Sequence, residues 1–173
     1  MPPVSLLLSL LGLIPFVIGG LAATGHNPDP SGRAVTVLID YAALVLAFAG
    51  GIHWGLVLPG AVPAGPGPIG SLPGSQALPA QPPRRITHRV VLGVLPLLIG
   101  WAALLLAQLV ASWMALALLI AGYLITLIVE HQARRHIPYP ARYLLLRWVF
   151  TIVAVAMLTT ALTLRLLGQT IVF

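Results

Sequence analysis

The stretch DYAALVLAFAGGIHWGLVL, residues 40–58, decides the fold class. It is apolar over a length that crosses a bilayer as one helix, for which about 20 residues are needed. Yet it carries an acid (Asp40), a histidine (His53) and a glycine cluster (Gly50, Gly51, Gly55). In lipid such residues are costly, so each needs a partner or a purpose.

The rest of the chain has the same character. Charged residues are 7% of the total, apolar residues 59%, and mean hydropathy is +1.02. A soluble domain has about 25% charged residues, so the composition reads as a polytopic, all-α membrane bundle. The net charge of +6 comes from arginine alone, because the chain has no lysine. In short loops between apolar spans, arginines set topology and meet anionic lipid headgroups; no nucleic-acid partner is expected. With no cysteine, disulfides, thiolate metal sites and cysteine nucleophiles are excluded.

Five membrane spans are predicted in this single domain, at about 4–23, 35–58, 90–108, 112–129 and 143–167. The first holds the small residues Ser5, Ser9 and Gly12 and a kink at Pro15. Its start lacks the basic residues of a cleaved signal peptide, so it is read as retained. Thr24 to Ala34 reads as a turn-rich loop. Residues 59–83, rich in proline and glycine, read as a flexible loop. The apolar run from Val90 to Val129 is too long for one span, and a tight turn near 108–112 divides it.

This arrangement puts Arg84, Arg85, Arg89, Arg134, Arg135 and Arg142 on one side with Arg147 just inside it. Arg33 and Arg165 fall on the other side. The positive-inside rule then predicts N-in, C-out, with the arginine-rich side facing the cytoplasm or a mitochondrial matrix. Trp54, Tyr139, Tyr143 and Trp148 fall near the inner boundary, Tyr41 and Trp113 near the outer one.

At 100° per residue, Asp40, Leu44, Ala47, Gly51 and Gly55 share one stripe of the second span and His53 lies nearly opposite. Gly51-x-x-x-Gly55 has the spacing of close helix contacts, and that span is expected to be central. The third presents Arg89, Gly93, Pro96, Gly100 and Ala107 as a row, with Trp101 beside it. Gly122, Tyr123, Thr126 and Glu130 share a face of the fourth. On the fifth, Arg147, Thr151, Ala154, Leu158, Ala161 and Arg165 align. Depth then pairs Glu130 with Arg147 or Arg89, and Asp40 with Arg165, each pair offsetting part of its desolvation.

The combination of Tyr41-Ala42-Ala43, Gly50-Gly51-Ile52-His53-Trp54-Gly55, Gly93-Val94-Leu95-Pro96 with Trp101, and Pro138 with Tyr143-Leu144-Leu145-Leu146-Arg147 resembles a known family. It is similar to the uncharacterised inner-membrane proteins of bacteria and mitochondria typified by transmembrane protein 69. The resemblance covers about Leu10 to Leu164, and Gly-Gly-Ile-His-Trp-Gly is its most specific element. It implies a compartment and a helical fold, and no established activity.

His53 has several readings: a haem ligand with His88 or His131, a proton or quinone contact, or a neutral histidine hydrogen-bonded within the bundle. The last is favoured, and no cofactor or metal is expected. Asp40 and Glu130 are too far apart along the membrane normal to form a carboxylate pair. No phosphate loop, metal-spaced His/Glu motif or nucleophile elbow is present, so no catalytic residue is assigned. Gly50, Gly51, His53, Trp54, Gly55, Pro96 and Trp101 are read as packing residues, and Arg84, Arg85 and Arg89 as a lipid-headgroup collar. Two functions follow. One is an accessory or assembly subunit of a larger membrane complex, a respiratory complex being the first candidate. The other is a small transporter or quinone- and proton-handling protein using His53 with Asp40 or Glu130.

Overall fold

A computed structural model describes residues 10–25, 28–55, 83–133 and 141–170, with side chains at 10–25, 31–51, 91, 93–132 and 145–168. Among these the chain forms five helices: α1 (Ile14–Ala23), α2 (Pro28–Gly55), α3 (Pro83–Leu109), α4 (Ser112–Ala133) and α5 (Ala141–Thr170). Three of them contain apolar stretches long enough to cross a membrane: Ser31–Gly51 of α2, Ser112–Gln132 of α4 and Leu145–Gly168 of α5. Shorter apolar segments occupy Ile14–Ala23 and Gly93–Leu109.

Local chemistry accounts for the boundaries. Pro15 takes the second position of α1, where a missing N–H leaves no bond unmade. The chain turns at Gly12 and Leu13, with the Leu13 N–H donating to the Leu10 carbonyl at 3.0 Å. The interruption at Pro15 is therefore a helix start rather than a kink. The freed Gly12 carbonyl accepts the Tyr41 hydroxyl at 2.7 Å. Between α3 and α4, the Val110 and Ala111 N–H groups both donate to the Leu106 carbonyl, at 3.1 and 2.9 Å. That closes the turn expected near 108–112.

α2 begins earlier than the sequence reading placed it. Pro28 opens it, and residues 28–34 are helical rather than loop. Prolines are tolerated in a first helical turn because its N–H groups have no intrahelical acceptor. Arg84 to Arg89 likewise belong to the opening turns of α3. The proline- and glycine-rich loop lies almost wholly outside the described residues.

The helices form a ring, α1 to α5, that closes through α1 on α5, and α2 touches each of the others. Its core face, Val35, Leu38, Ile39, Ala42, Ala43 and Leu46, is buried. Phe16 of α1 is the hub. It is fully buried and meets Tyr41, Tyr123 and Phe150 edge-to-face, with ring centroids 5.1, 6.1 and 5.7 Å away. Tyr41, assigned by sequence to an interfacial belt, is part of this aromatic cluster. Buried alanines (Ala42, Ala43, Ala103, Ala115, Ala154, Ala161) line the other contacts. Small residues matter here because van der Waals contact, rather than hydrophobic burial, drives helices together in lipid.

Candidate functional site: a buried ion pair and a close helix crossing

α2 and α3 run antiparallel and cross backbone to backbone. A Cβ built on Gly100 would come within 2.8 Å of the Ala43 carbonyl oxygen, and one on Gly50 would collide with the Gly93 carbonyl. Gly50 also has the Pro96 ring beside it. Ala43 and Gly50 are seven residues apart on α2, as Gly93 and Gly100 are on α3, so the two close points repeat every two turns. Gly51, by contrast, is exposed, and a Cβ there would meet none of the described residues within 4 Å. The close approach expected at Gly51 is made at Gly50. The adjacent glycines point 100° apart, and only the Gly50 row matches small residues on α3.

Where this crossing meets α4 and α5, the polar residues converge. Gly122, Tyr123, Thr126 and Glu130 of α4 face inward and are buried, as do Thr151, Ala154, Leu158 and Ala161 of α5. Arg147 Nε donates to Glu130 Oε2 at 2.9 Å, and both side chains are nearly buried. One turn along each helix sits a threonine. The Thr126 hydroxyl lies 3.0 Å from the Gly122 carbonyl and 2.9 Å from that of Tyr123, within its own helix. Thr151 differs: among the described residues its buried hydroxyl has no partner, and neither has the buried Arg147 Nη2. A cleft of about 10 Å³ opens beside Glu130, lined by Ala49, Leu95, Pro96, Ile125, Thr126 and Val129. That is about the space of one water molecule.

A second tie crosses the bundle's centre. The buried Tyr123 hydroxyl donates to the Ala42 carbonyl at 2.9 Å, holding α4 to α2. At the other end, Arg165 lies against the start of α2, its Nη2 3.4 Å from where a Gly32 Cβ would stand. The two arginines of α5 are eighteen residues apart, about 27 Å along a helix, close to the thickness of a hydrocarbon core of about 30 Å.

Other residues singled out by sequence are dispersed. Asp40 lies eight residues from Gly32, about 12 Å further along α2, and so is not joined to Arg165. It is exposed, and among the described residues it has no ion-pair or hydrogen-bond partner. A charge near a span's centre costs about 2.5–3.5 kcal/mol on insertion scales. Trp101 is exposed on α3. His131 is exposed and meets Trp148 edge-to-face at 6.1 Å, beside the ion pair. The side chains of His53, Trp54, Arg84, Arg85, Arg89 and His88 lie outside the described residues.

A family model matches residues 1–163, described as a protein of unknown function, DUF3429. The chain belongs to that family. It is also 32% identical over 165 residues to "Transmembrane protein 69" of Xenopus tropicalis, an alignment covering 93% of this chain and 54% of the relative. The chain thus spans about half the length of that curated relative. No solved structure matches it. The family, the relative's name and the apolar helices together make this a helical membrane protein of unknown function.

Phe16 escaped the sequence reading. A lone phenylalanine in an apolar span carries no periodic signal, and the aromatic rings it joins come from three other helices. The Ala43/Gly50 row was legible, had the equal spacing of small residues on α2 and α3 been compared.

Proposed function

We propose that this protein is an accessory or assembly subunit of a larger inner-membrane complex, spanning the bilayer five times with its N-terminus inside and its C-terminus outside. One observation carries the reading: among the described residues, the interior polar groups tie helices to one another. Tyr123 links α4 to α2, Tyr41 links α2 to the turn before α1, and Glu130 with Arg147 links α4 to α5. The cleft beside Glu130 has room for about one water molecule. α1 and the apolar part of α3 are short, but they pack in the ring beside the three long helices, which supports their crossing with them. Arg84, Arg85 and Arg89 would meet anionic headgroups at the inner surface.

The transport or quinone reading would need His53 to work with Asp40 or Glu130. Glu130 is held by Arg147, and it shares its cleft with Ala49, half a turn around α2 from the exposed Asp40. The acids therefore face different environments.

Purification from native membranes in mild detergent, with mass spectrometry and a visible spectrum, tests the proposal. Stoichiometric co-purifying membrane subunits are expected. A homogeneous particle of this chain alone, or one with a Soret band, would overturn it.

A further inference from the structure

α2 touches every other helix, yet an arc of it is left bare. Arg33, Thr36, Val37, Asp40, Leu44, Phe48 and Gly51 are exposed, with Val37 63%, Leu44 66% and Phe48 79% accessible. At 100° per residue these positions span about a third of the helix circumference, between the faces that meet α1 and α3. An apolar arc would by itself only face lipid. Asp40 makes the difference: it lies on this arc close to the middle of the 27 Å or so between the Arg147 and Arg165 levels, exposed and, among the described residues, without a partner. Charges at such depth normally face a bundle interior and pair with an opposite charge.

We propose that this arc seats a transmembrane helix of another protein carrying an arginine or lysine at the depth of Asp40. The proposal rests on the subunit reading above and names the surface it would use. A second copy of this chain does not supply the cation. Copies in one membrane share orientation, so every residue keeps its depth, and a two-fold pair would set Asp40 against Asp40. Arg147 is spent on Glu130 at one boundary, while Arg33 and Arg165 stand near the other. Arg84, Arg85 and Arg89 lie in the first turns of α3, beyond the Gly50–Gly93 crossing. Towards the inner side, the half-buried Ala47 and the open Gly51 leave room for a close backbone. Val37, Leu44 and Phe48 offer side-chain contacts around the charge.

The test is photocrosslinking in native membranes, with benzoylphenylalanine placed at Leu44 or at Phe48 of the full chain. The expected product is an adduct with a different membrane protein, whose crosslinked peptide is an apolar segment containing an arginine or lysine. Asp40→Leu should abolish the adduct, Asp40→Glu should retain it, and Asp40→Arg should be rescued by an acid at the partner's basic position. Size exclusion in mild detergent checks that each variant still forms the bundle, as expected for an exposed position. An adduct with this chain's own peptides, an adduct with lipid only, a partner segment without a cation, or a yield unaffected by Asp40→Leu would each overturn the proposal. The same probe at Trp101 and Ile152 separates the two readings. Protein adducts there but not at Leu44 or Phe48 would sink this surface and spare the subunit reading; no protein adduct anywhere would sink both.

Discussion

Gly50 of α2 stands against the carbonyl oxygen of Gly93 on α3, with no room for even a methyl group between the two backbones. The obstacle is main chain, which cannot rotate aside as a flexible side chain would. Gly50→Ala is therefore expected to push the helices apart, at the upper end of the roughly 1–3 kcal/mol typical of overpacking. Gly51→Ala adds a methyl that meets none of the described residues and should leave the bundle unchanged. Thermal unfolding of both variants in detergent measures the contrast, and equal losses would refute the crossing.

The ion pair gives a double-variant test. Removing one partner of a buried pair leaves an uncompensated charge, at about 3–5 kcal/mol, whereas replacing both with apolar groups is often neutral. Arg147→Met alone and Glu130→Leu alone should each lower the yield of folded protein sharply. The combination should recover much of it. Additive losses in the double variant would mean that the pair does not couple α4 to α5.

These two contacts also mark what the sequence could and could not convey. Each helix's inward row on α4 and α5 was legible, because buried threonines, alanines and charged residues recur at helical spacing from Gly122 to Glu130 and from Arg147 to Arg165. The depth argument likewise singled out Arg147 as a partner for Glu130. On α2 the same method ranked the Gly51 row as a packing face, and that row is exposed at Asp40, Leu44 and Gly51. A small-residue row says that a backbone can come close, not which backbone does. Choosing between Gly50 and Gly51 needed the partner helix. The start of α2 was misread for a local reason: prolines at 28 and 30 look like a loop until they are recognised as first-turn residues.

Phe16 should be the most sensitive position on α1. Phe→Ala in a well-packed site costs about 3–5 kcal/mol, and here three edge-to-face contacts are lost together. Ile18→Ala, on the exposed side of the same helix, should change the melting temperature little. Comparable shifts for the two would deny Phe16 its place at the hub.

Tyr123→Phe removes one hydroxyl and leaves the Ala42 carbonyl without that donor. That carbonyl still accepts the Leu46 N–H within α2, so the loss is one interhelix hydrogen bond, about 0.5–1.5 kcal/mol net, and the variant should melt somewhat earlier while keeping its helix content by circular dichroism. Tyr123→Phe stability equal to the parent would mean that the α2–α4 tie contributes nothing.

The orientation has its own test. Arginines gather at the Arg147 end of the bundle: Arg84, Arg85 and Arg89 enter on α3 beyond the Gly50–Gly93 crossing, while Arg33 and Arg165 mark the opposite end. On the proposed topology, cytoplasmic retention of positive charge sets the direction of all five helices. A reporter fused after Phe173 should be active only outside the cytoplasm, and one inserted between residues 62 and 80 only inside it. The reverse pattern at both sites would invert the topology, and the same side at both would mean that α3, α4 and α5 do not all cross.

The last prediction separates packing from chemistry. His53→Gln keeps a hydrogen-bonding group but removes a side chain able to titrate near neutral pH. Gly50→Leu keeps every polar group and destroys a helix crossing. If the protein acts by holding a complex together, Gly50→Leu should deplete the assembled complex and His53→Gln should not. If it handles protons or a quinone through His53, the His53→Gln complex should assemble normally and lose its function. Native gels of membranes carrying each variant, read beside an activity assay of the co-purified complex, distinguish the outcomes. The geometry favours the first: the acid that could serve a proton path from inside the bundle, Glu130, is already bound to Arg147 at 2.9 Å.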